Sequence, residues 1–148
     1  MVDVVVMCIG NQDGGDDGIG PYIANQLHKK HPDDVVVLDC GVSPENYTSV
    51  AKRHHPHTLL LIDAADMGLP AGEIRIVPEK KIGTMHLSTH GISIALLTEF
   101  LKQDIKEIII IGIQPKKMSG SMSTRVRQRG EHLIDMVQKK SFREIPVL

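Results

Sequence analysis

Stretches of the chain that are almost wholly apolar set its pattern: Val2–Ile9, Val35–Leu38, Leu59–Ile62 and Ile108–Ile113. Each is short and lacks strict alternation, and the first is rich in Val, as expected of strands covered on both faces. Between them the period becomes helical. Ile19, Ile23 and Leu27 recur every four residues, with Pro21 in the first turn and Pro32 past the end, and predict a helix over 19–31. Ser43-Pro44-Glu45 reads as an N-cap and first-turn proline, opening a short helix that stops before Pro56. Ile92, Ala95, Leu96 and Leu97, with Phe100 and Leu101, form a wide stripe predicting a helix over 90–103. Val126, Leu133, Ile134 and Val137 predict the last helix, over 123–139.

Ile74–Val77 differs from the other runs. It has mixed polarity and lies between Pro70 and Pro78, which predicts an edge strand, antiparallel to its neighbour. Residues 79–89 and 114–122 read as loops. Strands alternating with helices through short connections define an α/β chain. The expected architecture is a three-layer α/β/α arrangement with a mostly parallel five-stranded sheet, one antiparallel edge strand and helices on both faces. At 148 residues, positions 1–148 should form a single domain.

Composition narrows the function. Seventeen basic and eighteen acidic residues leave a formal charge of −1, without the basic excess of a general nucleic-acid binder. Aromatics are only 3%, so base-stacking platforms are not expected. No apolar run approaches the ~20 residues of a membrane helix, and Met1–Val6 carries no basic region of the kind that opens a signal peptide. Cys8 and Cys40 lie in apolar stretches and read as buried, reduced thiols of a cytoplasmic protein.

In an open parallel sheet, ligands bind beyond the carboxyl ends of the strands, where the strand order reverses. Past the first strand lies Gly10 to Gly20, a loop containing Asp13, Asp16 and Asp17; past the second comes Asp39; the third ends in Asp63, with Asp66 three residues on. If the first and third strands flank the reversal, Asp17 and Asp63 face each other, and His90 can reach the same edge. The glycines suggest a phosphate cradle, but three carboxylates would repel phosphate and the spacing lacks G-x-G-x-x-G and a Walker lysine. A plain turn with Asp capping the next helix is the structural alternative. Two carboxylates and one imidazole suit a borderline divalent metal; with three protein ligands and no thiolate, such a site is open and incomplete.

The sequence contains eight histidines, and most of the others have ordinary readings. His54, His55 and His57 flank Pro56 at a helix end, and His28 and His31 lie in a last helical turn, where positive charge suits the dipole. His132 falls on a polar face. Asp16, Asp66 and His86 remain as secondary metal candidates. Met67, Met85, Met118 and Met122 lie in loops, where flexible thioethers suit a peptide or protein surface.

Six ordered blocks carry a family resemblance. They are Gly10-Asn11 through Gly15-Asp16-Asp17-Gly18-Ile19-Gly20-Pro21; Ser43-Pro44-Glu45-Asn46 after Asp39; Leu61-Ile62-Asp63-Ala64-Ala65-Asp66-Met67-Gly68; Gly72-Glu73-Ile74-Arg75-Ile76; Ser88-Thr89-His90; and Gly112-Ile113-Gln114-Pro115. Together they resemble the hydrogenase maturation endopeptidases, in their hydrogenase-3-like, formate-hydrogenlyase branch. The resemblance implies an aspartyl-type peptidase. It would remove a C-terminal extension from the nickel-loaded large-subunit precursor of a nickel–iron hydrogenase. It also implies that Asp17, Asp63 and His90 contact the nickel, which belongs to the substrate, with no permanent cofactor in the protease. Asp39 is a further candidate, as proton acceptor. A monomer is expected, with no nucleic acid or membrane partner. Two other readings use the same residues: a non-catalytic chaperone that senses the metal centre, and a magnesium-dependent phosphohydrolase.

Overall fold

The computed structural model describes residues 2–84, 86–87 and 93–148. The valine-rich start forms β1 (Val4–Ile9), every residue of it buried. The chain then passes through a tight helical turn at Gly15–Gly18 into α1 (Ile19–Lys30). Gly20, in the first turn of α1, lies against the end of β1: a Cβ there would fall 2.1 Å from the Ile9 carbonyl oxygen. Only glycine lets helix and strand come this close.

β2 (Val35–Gly41), α2 (Thr48–Arg53) and β3 (Thr58–Asp66) follow, then β4 (Ile74–Ile76), β5 (His86–Leu87), α3 (Ile94–Lys102), β6 (Glu107–Ile113) and α4 (Thr124–Gln138). The sheet order is β2-β1-β3-β6-β4, with β5 paired to the end of β3. β1 pairs in parallel with β2 and β3, β3 pairs in parallel with β6, and β4 runs antiparallel to β6. The mostly parallel sheet with an antiparallel edge strand is therefore present.

Strand pleating sorts alternate residues onto two apolar layers. Val4, Val6, Cys8, Leu60, Ile62, Ile109 and Ile111 pack against α1 and α4. Val5, Met7, Ile9, Leu59, Leu61 and Ile110 pack against α2 and α3. Among the described residues no helix is long and apolar enough to cross a membrane.

Several expectations need correction. The Val35–Leu38 run is not buried on both faces, because β2 is the sheet edge; only Val37 and Cys40 of this strand are buried. Position in the sheet, not local hydropathy, decides this. β3 does not end at Asp63. β6 is long enough to pair with it through Asp63 and Ala64, and the strand continues to Asp66. Ser43-Pro44 opens a single tight turn over Pro44–Tyr47 without a side-chain cap, and α2 begins at Thr48. The 79–89 region is not all loop: it holds a helical turn at Glu79–Thr84 and β5, antiparallel to Ala65–Asp66.

Helix α3 is shorter than predicted. Ser93 caps it, its hydroxyl accepting from the Leu96 amide at 3.1 Å. Its buried face is Ile94, Leu97, Thr98 and Leu101, while Leu96 and Phe100 are exposed. The apolar stripe is wider than the face the sheet covers. At the far edge the C-terminal segment closes β4: the Ile76 amide donates to the Pro146 carbonyl and the Leu148 amide to the Ile76 carbonyl, each at 2.9 Å.

Candidate active site

The sheet order places the reversal between β1 and β3. β1 leads through α1 to β2 on one side, and β3 lies on the other. The β1–β3 pairing stops at Cys8 and Ile62, where β1 turns away at Gly10. Asp63 is the first β3 residue beyond that pairing. It is 2% exposed, and alternation puts it on the side of Leu59 and Leu61, the α2–α3 layer. The Gly15–Gly18 turn bearing Asp17 packs against β3. Asp17 thus lies in a turn packed against the strand that carries Asp63.

Adjacent aspartates in this turn have different surroundings. Asp16 is fully buried. Its Oδ2 accepts from the amides of Lys116 (2.8 Å) and Lys117 (3.0 Å) and from the Ser123 hydroxyl (2.8 Å), and its Oδ1 accepts from the Ser123 amide at 2.6 Å. Burial pushes its pKa up, but these four donors outweigh it and hold the carboxyl below its ordinary value. As a secondary metal candidate Asp16 is already engaged: it ties the 114–123 loop to the glycine turn. Gly15 makes the junction possible. At φ +64° it brings backbone against backbone, and a Cβ there would lie 2.6 Å from the Ser119 nitrogen.

Asp17 is 5% exposed. Its Oδ2 accepts from the Asn11 amide at 2.9 Å, while its Oδ1 is buried and has no hydrogen-bond partner among the described residues. An acceptor left so costs free energy unless a ligand meets it.

Asp66, at the end of β3, is exposed. Its Oδ1 accepts from the Gly68 amide (3.2 Å) and from Gln114 Nε2 (3.1 Å). Gln114 itself was visible in the sequence only as part of a motif. It is buried, and its Oε1 accepts from the Met67 amide at 2.6 Å and the Leu69 amide at 3.3 Å. One side chain beyond β6 thus fixes the turn beyond β3. That pairing spans over forty residues of chain, which leaves no local signal.

Asp39 lies on β2, register-paired with Cys8, and its side chain is exposed. It accepts from the Gly41 amide at 3.3 Å. It separates two adjoining clefts of about 380 and 390 Å³. The first is lined by Gly10, Asn11 and Val42, the second by Tyr22, Asn25 and Met122. His90, in the chain between β5 and α3, lies outside the described residues, as does Met85. His86 is in β5, opposite Asp66.

Four of the six remaining histidines have a local partner or cap a helix. His28 Nε2 lies 2.9 Å from the Val37 carbonyl, His31 and His54 are C-caps, and His57 Nδ1 meets Thr58 Oγ1 at 3.1 Å. Both cysteines are free and buried. Burial first, and neighbouring Asp39 second, push Cys40 up to about 12; burial also lifts Cys8 well above the ordinary thiol range. A thiol held protonated is a poor nucleophile.

Fold and site define a doubly wound α/β protein with buried carboxylates at its switch point. Comparison with known proteins carries this further. The family model for HycI, hydrogenase maturation protease, matches residues 21–140. The hydrogenase 3 maturation protease of Escherichia coli K12 is 42% identical over 112 residues, covering 75% of this chain and 72% of the relative. The solution structure of the endopeptidase HycI from Escherichia coli superposes with a TM-score of 0.89 at 32% identity, covering 99% of this chain and 97% of that one. A NiFe hydrogenase maturation protease HycI from Thermococcus kodakarensis gives 0.83 at 29% identity, covering 93% and 91%. The chain belongs to the hydrogenase maturation protease family.

Proposed function

We propose that this maturation protease reads the nickel of its substrate with Asp17, Asp63 and His90, and removes a C-terminal extension from the large-subunit precursor of a nickel–iron hydrogenase. One observation carries the site assignment: Oδ1 of Asp17 is buried, in a turn packed against the strand of Asp63, and has no hydrogen-bond partner among the described residues. A carboxylate oxygen in that state is poised for a cation brought from outside. The nickel is part of the substrate, whose own thiolates supply the soft ligands that this chain lacks there. The protease keeps no permanent cofactor, and other divalent ions can occupy the same ligands.

Docking the nickel fixes the scissile peptide beside the crevice, which supplies proximity. When bound, the metal also polarises the carbonyl or a water. Asp39, facing the clefts beside the glycine loop, accepts the proton in this scheme. The two protonated, buried thiols argue against a cysteine nucleophile. The protein works as a cytoplasmic monomer.

The test is incubation of nickel-loaded and nickel-free precursor with the protein, read by mass. Loss of a C-terminal fragment from the loaded precursor alone supports the proposal. Stable complex formation without loss of mass would favour a metal-sensing chaperone. Magnesium-dependent release of phosphate from phosphate esters would favour a phosphohydrolase.

A further inference from the structure

Between Glu107 and Glu131 the chain carries no acidic residue but five basic ones: Lys116, Lys117, Arg125, Arg127 and Arg129. For a chain of net charge −1 this is a strong local bias. Arg129 is engaged, its Nε donating to the Gly72 carbonyl at 3.1 Å. Lys116, Lys117, Arg125 and Arg127 are exposed, and among the described residues none of them forms an ion pair. Three of them surround a cleft of about 380 Å³ whose other walls include Ser121, Ser123 and Thr124. The acidic group packed against this loop is Asp16, whose carboxylate is buried and consumed by amide and hydroxyl donors. Glu131, further along α4, is engaged by the Tyr22 hydroxyl.

The cations are also held in place. The amides of Lys116 and Lys117 bind Asp16, and the Asp16 amide donates to the Lys117 carbonyl at 2.9 Å. The next residue is Asp17. The basic loop is therefore locked to the turn that carries Asp17. Hydroxyls interleaved with cations, and no apolar or aromatic wall but Met122, suit carboxylates. A nucleic acid would call for an extended basic track with stacking aromatics, and the lining has no aromatic residue.

We propose that the cleft bounded by Lys116, Lys117 and Arg125 docks an acidic segment of the protein substrate, orienting it toward Asp17. This rests on the reading that the substrate is a protein precursor, and it adds the partner chemistry that selects it. Charged rims of this kind steer encounter and fix register more than they add raw affinity, and salt screens them.

A test that does not require processing uses a blocked peptide alternating Glu and Ala, with its Gln–Ala counterpart, titrated into the full chain and followed by backbone amide shifts. The Glu peptide should move the 116–125 amides saturably and bind at least five-fold tighter than the Gln peptide. High salt, or the combined variant Lys116→Glu, Lys117→Glu, Arg125→Glu, should abolish that preference. Equal binding of the two peptides, or a preference that survives in the variant, would overturn the proposal. So would a single-stranded oligonucleotide that displaces the Glu peptide at lower concentration. With nickel-loaded precursor, the variant should raise KM at least five-fold and leave kcat unchanged. A precursor left intact by the native protein contradicts the processing reading, while the peptide titration still decides the docking surface.

Discussion

Ser123 closes both oxygens of Asp16: its amide reaches Oδ1 at 2.6 Å and its hydroxyl reaches Oδ2 at 2.8 Å, across more than one hundred residues of chain. Asp17, one residue on, keeps an oxygen without a partner among the described residues. The two aspartates divide the work. One fixes the 116–123 loop, and the other is the proposed contact for the substrate's nickel.

Asp16→Ala should therefore behave as a structural lesion. It leaves the amides of Lys116, Lys117 and Ser123 without their acceptor in a partly buried setting, and unmade hydrogen bonds to a charged group cost about 2–4 kcal/mol in all. Urea unfolding should show the loss.

The same carboxylate sets an acid limit. Its folded pKa lies below the ordinary 3.8, so its stabilising share is complete above that value and is lost as pH falls through the folded pKa. Glu107, held below 4.5 first by its hydrogen bond to Arg143, acts in the same direction. Unfolding free energy should fall steadily below about pH 4.5. Asp16→Asn should flatten that fall; a slope identical to the native protein's would remove Asp16 from the account.

Gln114→Ala should loosen the 67–69 turn without unfolding the sheet. The variant leaves the Met67 and Leu69 amides without their acceptor, at a cost of about 1–3 kcal/mol. Amide hydrogen exchange should rise at Met67 and Leu69 while the β1 and β3 amides stay protected.

Cys40→Ala, and Cys8→Ala where it folds, should keep their processing activity, and iodoacetamide should not inhibit the native protein. Both thiols are buried and held protonated. Loss of processing by a well-folded Cys40→Ala would return the cysteine to the mechanism.

The strand–helix alternation, the antiparallel edge at Ile74–Ile76 and the sheet-order reversal beside β1 and β3 were all legible in the sequence. Dense β-branched runs leave little choice of element, and strand ends point to one edge. What escaped depends on contacts between distant segments. Val35–Leu38 looks as buried as Val4–Ile9, and only its place at the sheet edge exposes it. Asp63 looked like a strand end because the apolar run stops there; β6 carries the pairing past it. The role of Asp16 was hidden because its partners lie at 116–123, and Gln114 was hidden for the same reason. In α3, Leu96 and Phe100 fitted the helical stripe but lie outside the covered face. His90 lies outside the described residues, and its place in the site rests on the sequence.

The measurement that bears most directly on the central claim is the mass of nickel-loaded precursor after incubation with native protein, Asp17→Asn and Asp63→Asn, each checked for native unfolding free energy. Native protein should release the C-terminal extension within the assay, and each variant should slow release at least a hundred-fold. Release at the native rate by both folded variants would contradict the assignment of the crevice as the nickel-reading site.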